Sequence, residues 1–234
     1  MSSLANQTDS QLGGRWSILT RQKRDHVRLD RLLRELPRTA GPEQEAVLNR
    51  ICRLVFPHAF AEESVLWPEL RRRLTDGHEL TLQVEQEHQE VNQLFTRLEE
   101  PGLSTVERER VLDRVVEVLR EDVRDEEDEL LPRLQAAVDV RRLRQLGVAW
   151  EAVRRTAPTR PHPVVSRRPP GNALAALPLT ALDRGRDLLD AGARAVPALR
   201  PALTSGSQAA ARLAGRVEHL PVFRRGEDSS TGRP

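Results

Sequence analysis

Apolar positions recur at alternating steps of three and four through the first two thirds of the chain, the spacing that places side chains on one face of an α-helix. Four long segments show this pattern, over about residues 15–36, 43–73, 79–99 and 104–132. Residues that end or begin helices separate the segments: Pro37, Gly41-Pro42, Thr75-Asp76-Gly77 and Pro101-Gly102. A shorter amphipathic segment follows near residues 140–155. The pattern predicts an all-α protein, an up-and-down four-helix bundle with a short fifth helix.

The composition changes after Ala157. Five prolines lie between residues 158 and 170, which predicts an extended linker. Alanine- and leucine-rich stretches follow near 174–196 and 207–217, but prolines interrupt them. We therefore expect a disordered N-terminus over residues 1–14, the bundle over 15–157, and a linker and tail over 158–234 that are mostly disordered.

Each long helix carries one ionisable residue within its apolar face. These residues are His26, His58, His88 and Asp122. Burying such groups without partners costs several kcal/mol, so each needs a reason. A single buried histidine is usually hydrogen-bonded in a core, but four at corresponding depth predict one shared polar site.

The second and fourth helices repeat one plan. His58 and Asp122 are each followed, four residues later, by a glutamate, Glu62 or Glu126, and ten residues later by a proline. Because a four-residue step stacks two side chains on one helix face, each pair reaches a single point. Imidazole together with carboxylate suits iron, manganese or zinc, and bundles often hold di-metal sites built this way. A hydrogen-bond network is the alternative for the same residues.

These residues resemble a known family. The similar features are His26, the His58-x3-Glu62 pair leading to Trp67-Pro68, the His88 helix, the segment from Glu126 to Pro132, and the run from Ala157 to Pro163. Over about residues 17–163 they are similar to hemerythrin-like (HHE cation-binding) domains. The resemblance implies a four-helix bundle with a non-haem, usually di-iron, centre that binds oxygen or responds to oxygen, nitric oxide or redox state. It also implies that Glu62 and Glu126 bridge the metals.

Two positions depart from the family pattern, which has histidine at the place of Asp122 and usually a carboxylate at that of Asn92. Asp122 still offers an oxygen donor. The candidate metal ligands are therefore His26, His58, Glu62, His88, Asp122 and Glu126. A hard, negative donor stabilises ferric over ferrous iron, so we expect a largely diferric centre that does not carry oxygen reversibly.

Charge is unevenly distributed along the chain. The net charge is +2, but residues 1–140 carry −8 and residues 141–234 carry +10. This asymmetry leaves nucleic acid or another anionic partner of the basic tail as an alternative. The hydrophobic fraction of 38% fits one core, and no apolar run approaches the length needed to span a bilayer. The single Cys52 and the absence of a secretory signal pattern predict a cytoplasmic setting.

Other polar residues receive simpler interpretations. His78, His162 and His219 are expected at the surface, Cys52 in packing, and Asp30 beside Arg34 on a helix surface. No nucleophile triad, phosphate-binding glycine loop or zinc-finger spacing is present, which argues against a hydrolase, a nucleotide-binding protein or a zinc-finger protein.

The leading hypothesis is a non-haem, di-iron binding protein that binds or senses oxygen or a related small oxidant, with manganese or zinc as alternative metals. A di-iron enzyme acting on peroxide or oxygen is a second hypothesis, and we expect binding or sensing rather than catalysis. A metal-poor helical interaction module with a basic tail is a third. The oligomeric state is not predicted.

Overall fold

The computed structural model describes residues 2–100 and 102–231, and this part of the chain contains helices and no strand. Its α-helices are α1 (Ile18–Glu35), α2 (Gly41–Ala61), α3 (Trp67–Arg73), α4 (Gly77–Glu99), α5 (Thr105–Asp125), α6 (Leu131–Ala137), α7 (Val140–Arg155), α8 (Gly171–Ala195) and α9 (Arg200–Glu218). The predicted all-α class is confirmed, and the four long helical segments pack as a bundle.

Side-chain caps fix where several helices begin. Ser17 caps α1 by accepting a hydrogen bond from the Leu19 N–H. Ser104 and Glu107 form a capping box, in which each side chain accepts from the other residue's backbone N–H. The Asp139 side chain caps α7 by accepting a hydrogen bond from the Arg142 N–H. Because these caps satisfy N–H groups that the first helical turn leaves free, local sequence is sufficient to set the boundaries.

A wide, π-helical turn interrupts the second and fourth helical segments. Glu62–Leu66 joins α2 to α3, and Glu126–Leu130 joins α5 to α6. The N–H after each turn bonds to the carbonyl five residues back, at Glu62 or Glu126. A proline follows at once, and its ring clashes with the carbonyl four residues earlier, which favours the wider spacing. The helix near Pro68 and near Pro132 is therefore disturbed by a π-turn that begins at a candidate ligand.

Two apolar clusters fill the bundle, one on each side of a polar layer. The first contains Leu29, Leu32 and Leu33 of α1 and the Leu36 that follows it, with residues such as Ile51, Phe95 and Leu119. The second contains residues such as Ile18, Trp67, Val84, Leu131 and Trp150. Successive long helices cross the polar layer in alternating order, α1 and α4 from the second cluster to the first, and α2 and α5 in reverse. The polar side chains are thereby held between two dry layers.

The N-terminal segment differs from the expected disorder. Leu4 and Leu12 are fully buried in the second apolar cluster. The following turn packs closely on α7, where a Cβ on Gly147 would lie 2.1 Å from the Trp16 carbonyl oxygen. Sparse apolar residues in a polar stretch gave no helical periodicity, so their burial against another element was not visible in the sequence.

The tail also differs from the prediction. Helices α8 and α9 form an antiparallel pair, with their own small core that includes Val165, Leu179, Ala214 and Phe223. The prolines begin or punctuate these helices without preventing them: Pro197 and Pro201 fall in first turns, where no N–H is needed. Of the prolines in α8 and α9, Pro178 lies inside a helix. Among the described helices, none combines the length and the apolar character needed to cross a bilayer.

Candidate metal centre

The six predicted ligands converge in the polar layer, and all are buried. Ligand atoms of His26, His58, Glu62 and Glu126 all lie within 4.8 Å of one another. A second group, equally close, consists of His88, Asp122 and Glu126. Glu126 belongs to both groups, so the arrangement is that of two adjoining sites that share a carboxylate.

The inner contacts join each imidazole to a carboxylate. His58 Nε2 lies 3.0 Å from Glu62 Oε1, and His26 Nε2 lies 3.1 Å from Glu126 Oε2. His88 Nε2 lies 3.4 Å from Asp122 Oδ1, 3.8 Å from Glu62 Oε2 and 3.9 Å from Glu126 Oε1. Glu62 and Glu126 therefore each face histidines of both groups, as carboxylates between two metals would.

The outer nitrogen of each imidazole is held by a further carboxylate. His26 Nδ1 pairs with Glu127 at 2.9 Å, His58 Nδ1 with Asp25 at 3.3 Å, and His88 Nδ1 with Glu63 at 3.0 Å. A carboxylate on the outer nitrogen fixes the ring orientation and leaves the lone pair of Nε2 free to bind a metal ion, which is the usual environment of metal-bound histidine. All three histidines thus present Nε2 to the same interior space.

Sequence reasoning did not find these supporting residues. Asp25 precedes one candidate ligand, while Glu63 and Glu127 each follow one. Gln22 also faces the polar layer and donates from Nε2 to Glu62 Oε1 at 2.6 Å. The available signal was the doubled acids at 62–63 and 126–127. A π-turn begins at the first acid of each pair. Regular α-helical spacing would direct the second acid toward solvent, and the wider turn changes that direction.

Several carboxylate oxygens in this layer accept no hydrogen bond. They are Glu62 Oε2, Asp122 Oδ1 and both oxygens of Glu126, all buried. Burial, with Glu62 and Asp122 close by, raises the pKa of Glu126 to about 8. Burial alone would lower the pKa of His26, but Glu126 and Glu127 outweigh it and raise that pKa to about 9. The polar layer therefore contains buried carboxylate oxygens that a bound cation or proton stabilises.

This donor set fits a metal pair. Unpartnered buried oxygens are costly unless something binds them, and here they face imidazole nitrogens across an enclosed space. Three imidazoles, which bind metal once deprotonated, together with three carboxylates suit iron, manganese or zinc. His26, His58, Glu62 and Glu126 would hold one ion, and His88 and Asp122 would hold the other with the shared glutamates.

Two cavities adjoin the centre. One of about 10 Å³, room for roughly one water-sized molecule, is lined by His26, His58, His88 and Asp122 together with apolar side chains. The other, about 290 Å³, opens toward the surface beside Lys23 and Glu127. Both share His26, Leu29, Leu119 and Val123 in their walls. A short apolar partition therefore separates the polar layer from solvent on this side.

The segment after α7 covers the α4 side of the centre. Asn92 donates to the His88 carbonyl and accepts from the His162 backbone N–H, both at 2.9 Å. Arg167 lies 3.8 Å from Glu63, the carboxylate that holds His88. The prediction that His162 is exposed was wrong, since its ring is buried between Asp183 and Glu218. Asn92 thus joins the metal-binding helix to the tail.

The other simple interpretations agree with the structure. His78 and His219 are exposed, and Cys52 is buried in the first apolar cluster. Asp30 pairs with Arg34 on the surface of α1, away from the polar layer.

Comparison with known families identifies the bundle. The model of the hemerythrin HHE cation binding domain matches residues 17–134. The chain belongs to this family. The match ends within α6, so α7 and the α8–α9 pair lie beyond the family domain. No curated protein and no solved structure gave a significant match. Membership in a cation-binding family, together with the cluster of histidines and carboxylates, indicates a metal-binding protein.

Proposed function

We propose that the bundle holds a non-haem di-iron centre that binds or senses oxygen or a related small oxidant. The observation that carries the proposal is the set of unpartnered oxygens of Glu62, Asp122 and Glu126, buried opposite three imidazole Nε2 atoms. Bound iron supplies the change of oxidation state and the open coordination position that oxygen chemistry requires.

The residues of the chain define what that centre accepts. Asp25, Glu63 and Glu127 orient the three rings. Leu29, Leu119 and Val123 separate the small cavity from the surface cavity and exclude bulk water. The small cavity supports a ligand of very few atoms. A buried, enclosed centre with limited room suits detection of a diatomic or similarly small molecule better than conversion of a large substrate.

Metal analysis tests this function. Protein produced with ample iron is expected to contain about two iron atoms per chain and to show oxygen-sensitive charge-transfer absorption in the near ultraviolet. A preparation grown with ample iron that contains no metal contradicts it. Zinc in place of iron would keep the ligand set but remove the proposed redox response, because zinc does not change oxidation state.

A di-iron enzyme acting on peroxide or oxygen is the second candidate. The equal number of histidines and carboxylates in the ligand set favours it, because carboxylate-rich donors are typical of di-iron oxidases. Steady consumption of peroxide by the iron-loaded protein, abolished in His58→Ala, would support turnover. Binding without turnover supports the sensing function.

A further inference from the structure

Charge is segregated within the α8–α9 pair and the residues after it. The six acidic residues of 171–231 all contact the connecting segment 159–168 or residues beside it. Asp183, Asp187, Asp190 and Glu218 surround Thr159, Arg160 and His162, while Glu227 and Asp228 contact Arg167 and Arg168. These acidic side chains are therefore all paired with the connecting segment, on the inner side of the α8–α9 pair.

The arginines of the same stretch lack such acidic partners, apart from one, although Arg184 donates to the Arg155 carbonyl and Arg200 to that of Ala193. Arg186 pairs with Glu99. The other seven are exposed, and none has an acidic partner among the described residues: Arg184, Arg194, Arg200, Arg212, Arg216, Arg224 and Arg225. The outer surface of the pair is consequently basic.

Exposed apolar side chains share this outer surface. One face of α8 carries residues at helical spacing: Leu174, Leu177, Arg184 and Leu188. Of these, Leu177 is 69% exposed and Leu188 is 76% exposed. On α9, Leu213 and Arg216 follow the same spacing, and the exposed Leu220 lies two residues past the end of the helix. Each outward stripe therefore combines leucines with an arginine.

The two stripes lie on the same side of the pair. The glycines Gly192 and Gly206 approach Leu203 and Leu189 respectively, which fixes the faces on which the antiparallel helices meet. Counting from these contacts at 100° per residue, the outward stripe is rotated by about 90–100° in the same sense on both helices. In an antiparallel pair that rotation carries both stripes to one side, away from the small core around Leu179.

We propose that this outer face, defined by the α8 and α9 stripes and the exposed arginines, binds an anionic lipid surface. Leucines with arginines at their flanks are the composition of helices that lie in a membrane interface, where apolar side chains enter the acyl boundary and cations meet phosphate groups. A second copy of the chain would bring arginines against arginines. Nucleic acid would leave the leucines in water, and this face has no aromatic side chain to stack on bases.

Vesicle sedimentation with the full-length, metal-loaded protein tests the proposal. Vesicles of equal parts phosphatidylserine and phosphatidylcholine are expected to bind the protein, and phosphatidylcholine vesicles to bind it at least tenfold less. Raising the salt concentration should weaken binding, because surface charges are screened. Leu177→Gln/Leu188→Gln and Arg184→Gln/Arg216→Gln should each reduce binding about tenfold or more.

A matched control removes one apolar and one basic side chain elsewhere. Val106→Gln/Arg110→Gln changes two exposed residues of α5 and should leave vesicle binding unchanged. Unaltered helicity and metal content show that each variant is folded. The proposal is overturned if the protein ignores anionic vesicles, binds neutral vesicles equally, or loses binding only in the control. Retention on duplex DNA without vesicle binding, or dimerisation lost in the leucine variant without vesicle binding, also overturns it.

Discussion

Asp122 and His58 occupy equivalent places in the two halves of the bundle. Each lies one turn before a buried glutamate that begins a π-helical turn, and each presents a donor atom to the same polar layer. His58 Nε2 faces Glu62, whereas Asp122 Oδ1 faces the ring of His88 and accepts no hydrogen bond. One half of the proposed centre therefore has two histidines, and the other has one histidine and an additional carboxylate.

Replacing Asp122 by histidine is expected to raise the reduction potential of the iron-loaded protein. The substitution removes a negative oxygen donor that favours ferric iron and supplies a neutral nitrogen in its place. We expect the native protein to be isolated largely in the diferric state and the variant to be reduced more readily. Redox titration of both proteins gives the comparison. Unchanged potential and metal content in the variant would mean that Asp122 is not a ligand.

His58→Ala is expected to remove much of the bound metal. His58 is buried, its ring faces Glu62, and its loss would leave His26 as the single histidine in that half of the site. Metal content per chain, measured after growth with ample iron, should fall by about half or more. His78→Ala is the matched control, because His78 is exposed and outside the polar layer, and it should retain native metal content. Equal metal content in the two variants would exclude His58.

The inward positions of the candidate ligands were predictable from the sequence because each interrupts an apolar face in helical register. His26, His58, His88 and Asp122 each required only that regular spacing. Glu63 and Glu127 were not predictable in this way. The π-turns at Glu62 and Glu126 break the regular register at the places where the supporting carboxylates lie.

Glu63→Gln tests the supporting carboxylates. The amide can still accept from His88 Nδ1, but it lacks the charge that strengthens the ring as a donor. Apparent iron affinity, measured by competition with a chelator, is expected to fall roughly 10–100-fold. Glu79→Gln, an exposed change on α4, the helix that carries His88, should leave the affinity unchanged. If both variants keep native affinity, Glu63 does not support a metal ligand.

The order of the tail could not be predicted from composition. Prolines and arginines near residues 158–170 indicated a solvated linker, but Arg160 and His162 are buried against acids that lie 20 to 60 residues later. Such pairs depend on the tertiary arrangement of α8 and α9. Asn92, which departs from the family pattern, also depends on this tertiary arrangement, since its side chain accepts a hydrogen bond from the His162 backbone N–H.

Docking of the tail is expected to weaken as the pH rises from about 6.5 to about 9. Burial lowers the pKa of His162, but Asp183 and Glu218 outweigh it and raise that pKa to about 9. Because the folded pKa is higher than the unfolded one, near 6.5, the stabilisation is complete below that lower value and is lost as pH rises through the higher one. Its size is up to about 3 kcal/mol.

His162→Gln provides the comparison, because glutamine keeps polar contacts without a titrating charge. Amide hydrogen exchange in α8 and α9 of the metal-loaded proteins should show protection that falls with pH in the native chain and changes less in the variant. The neighbouring charged groups, Asp183, Glu218 and Arg167, are the same in both proteins. Identical pH dependence in both would refute the role given to His162.

Locating the metal by anomalous X-ray scattering tests the central claim most directly. Crystals of iron-loaded protein, measured at the iron absorption edge, should show two peaks in the polar layer, about 3.5–4 Å apart. One peak is expected beside His26 and His58 and the other beside His88 and Asp122, with Glu126 between them. Iron-replete crystals without a peak among these residues, or with metal bound only elsewhere, would contradict the account.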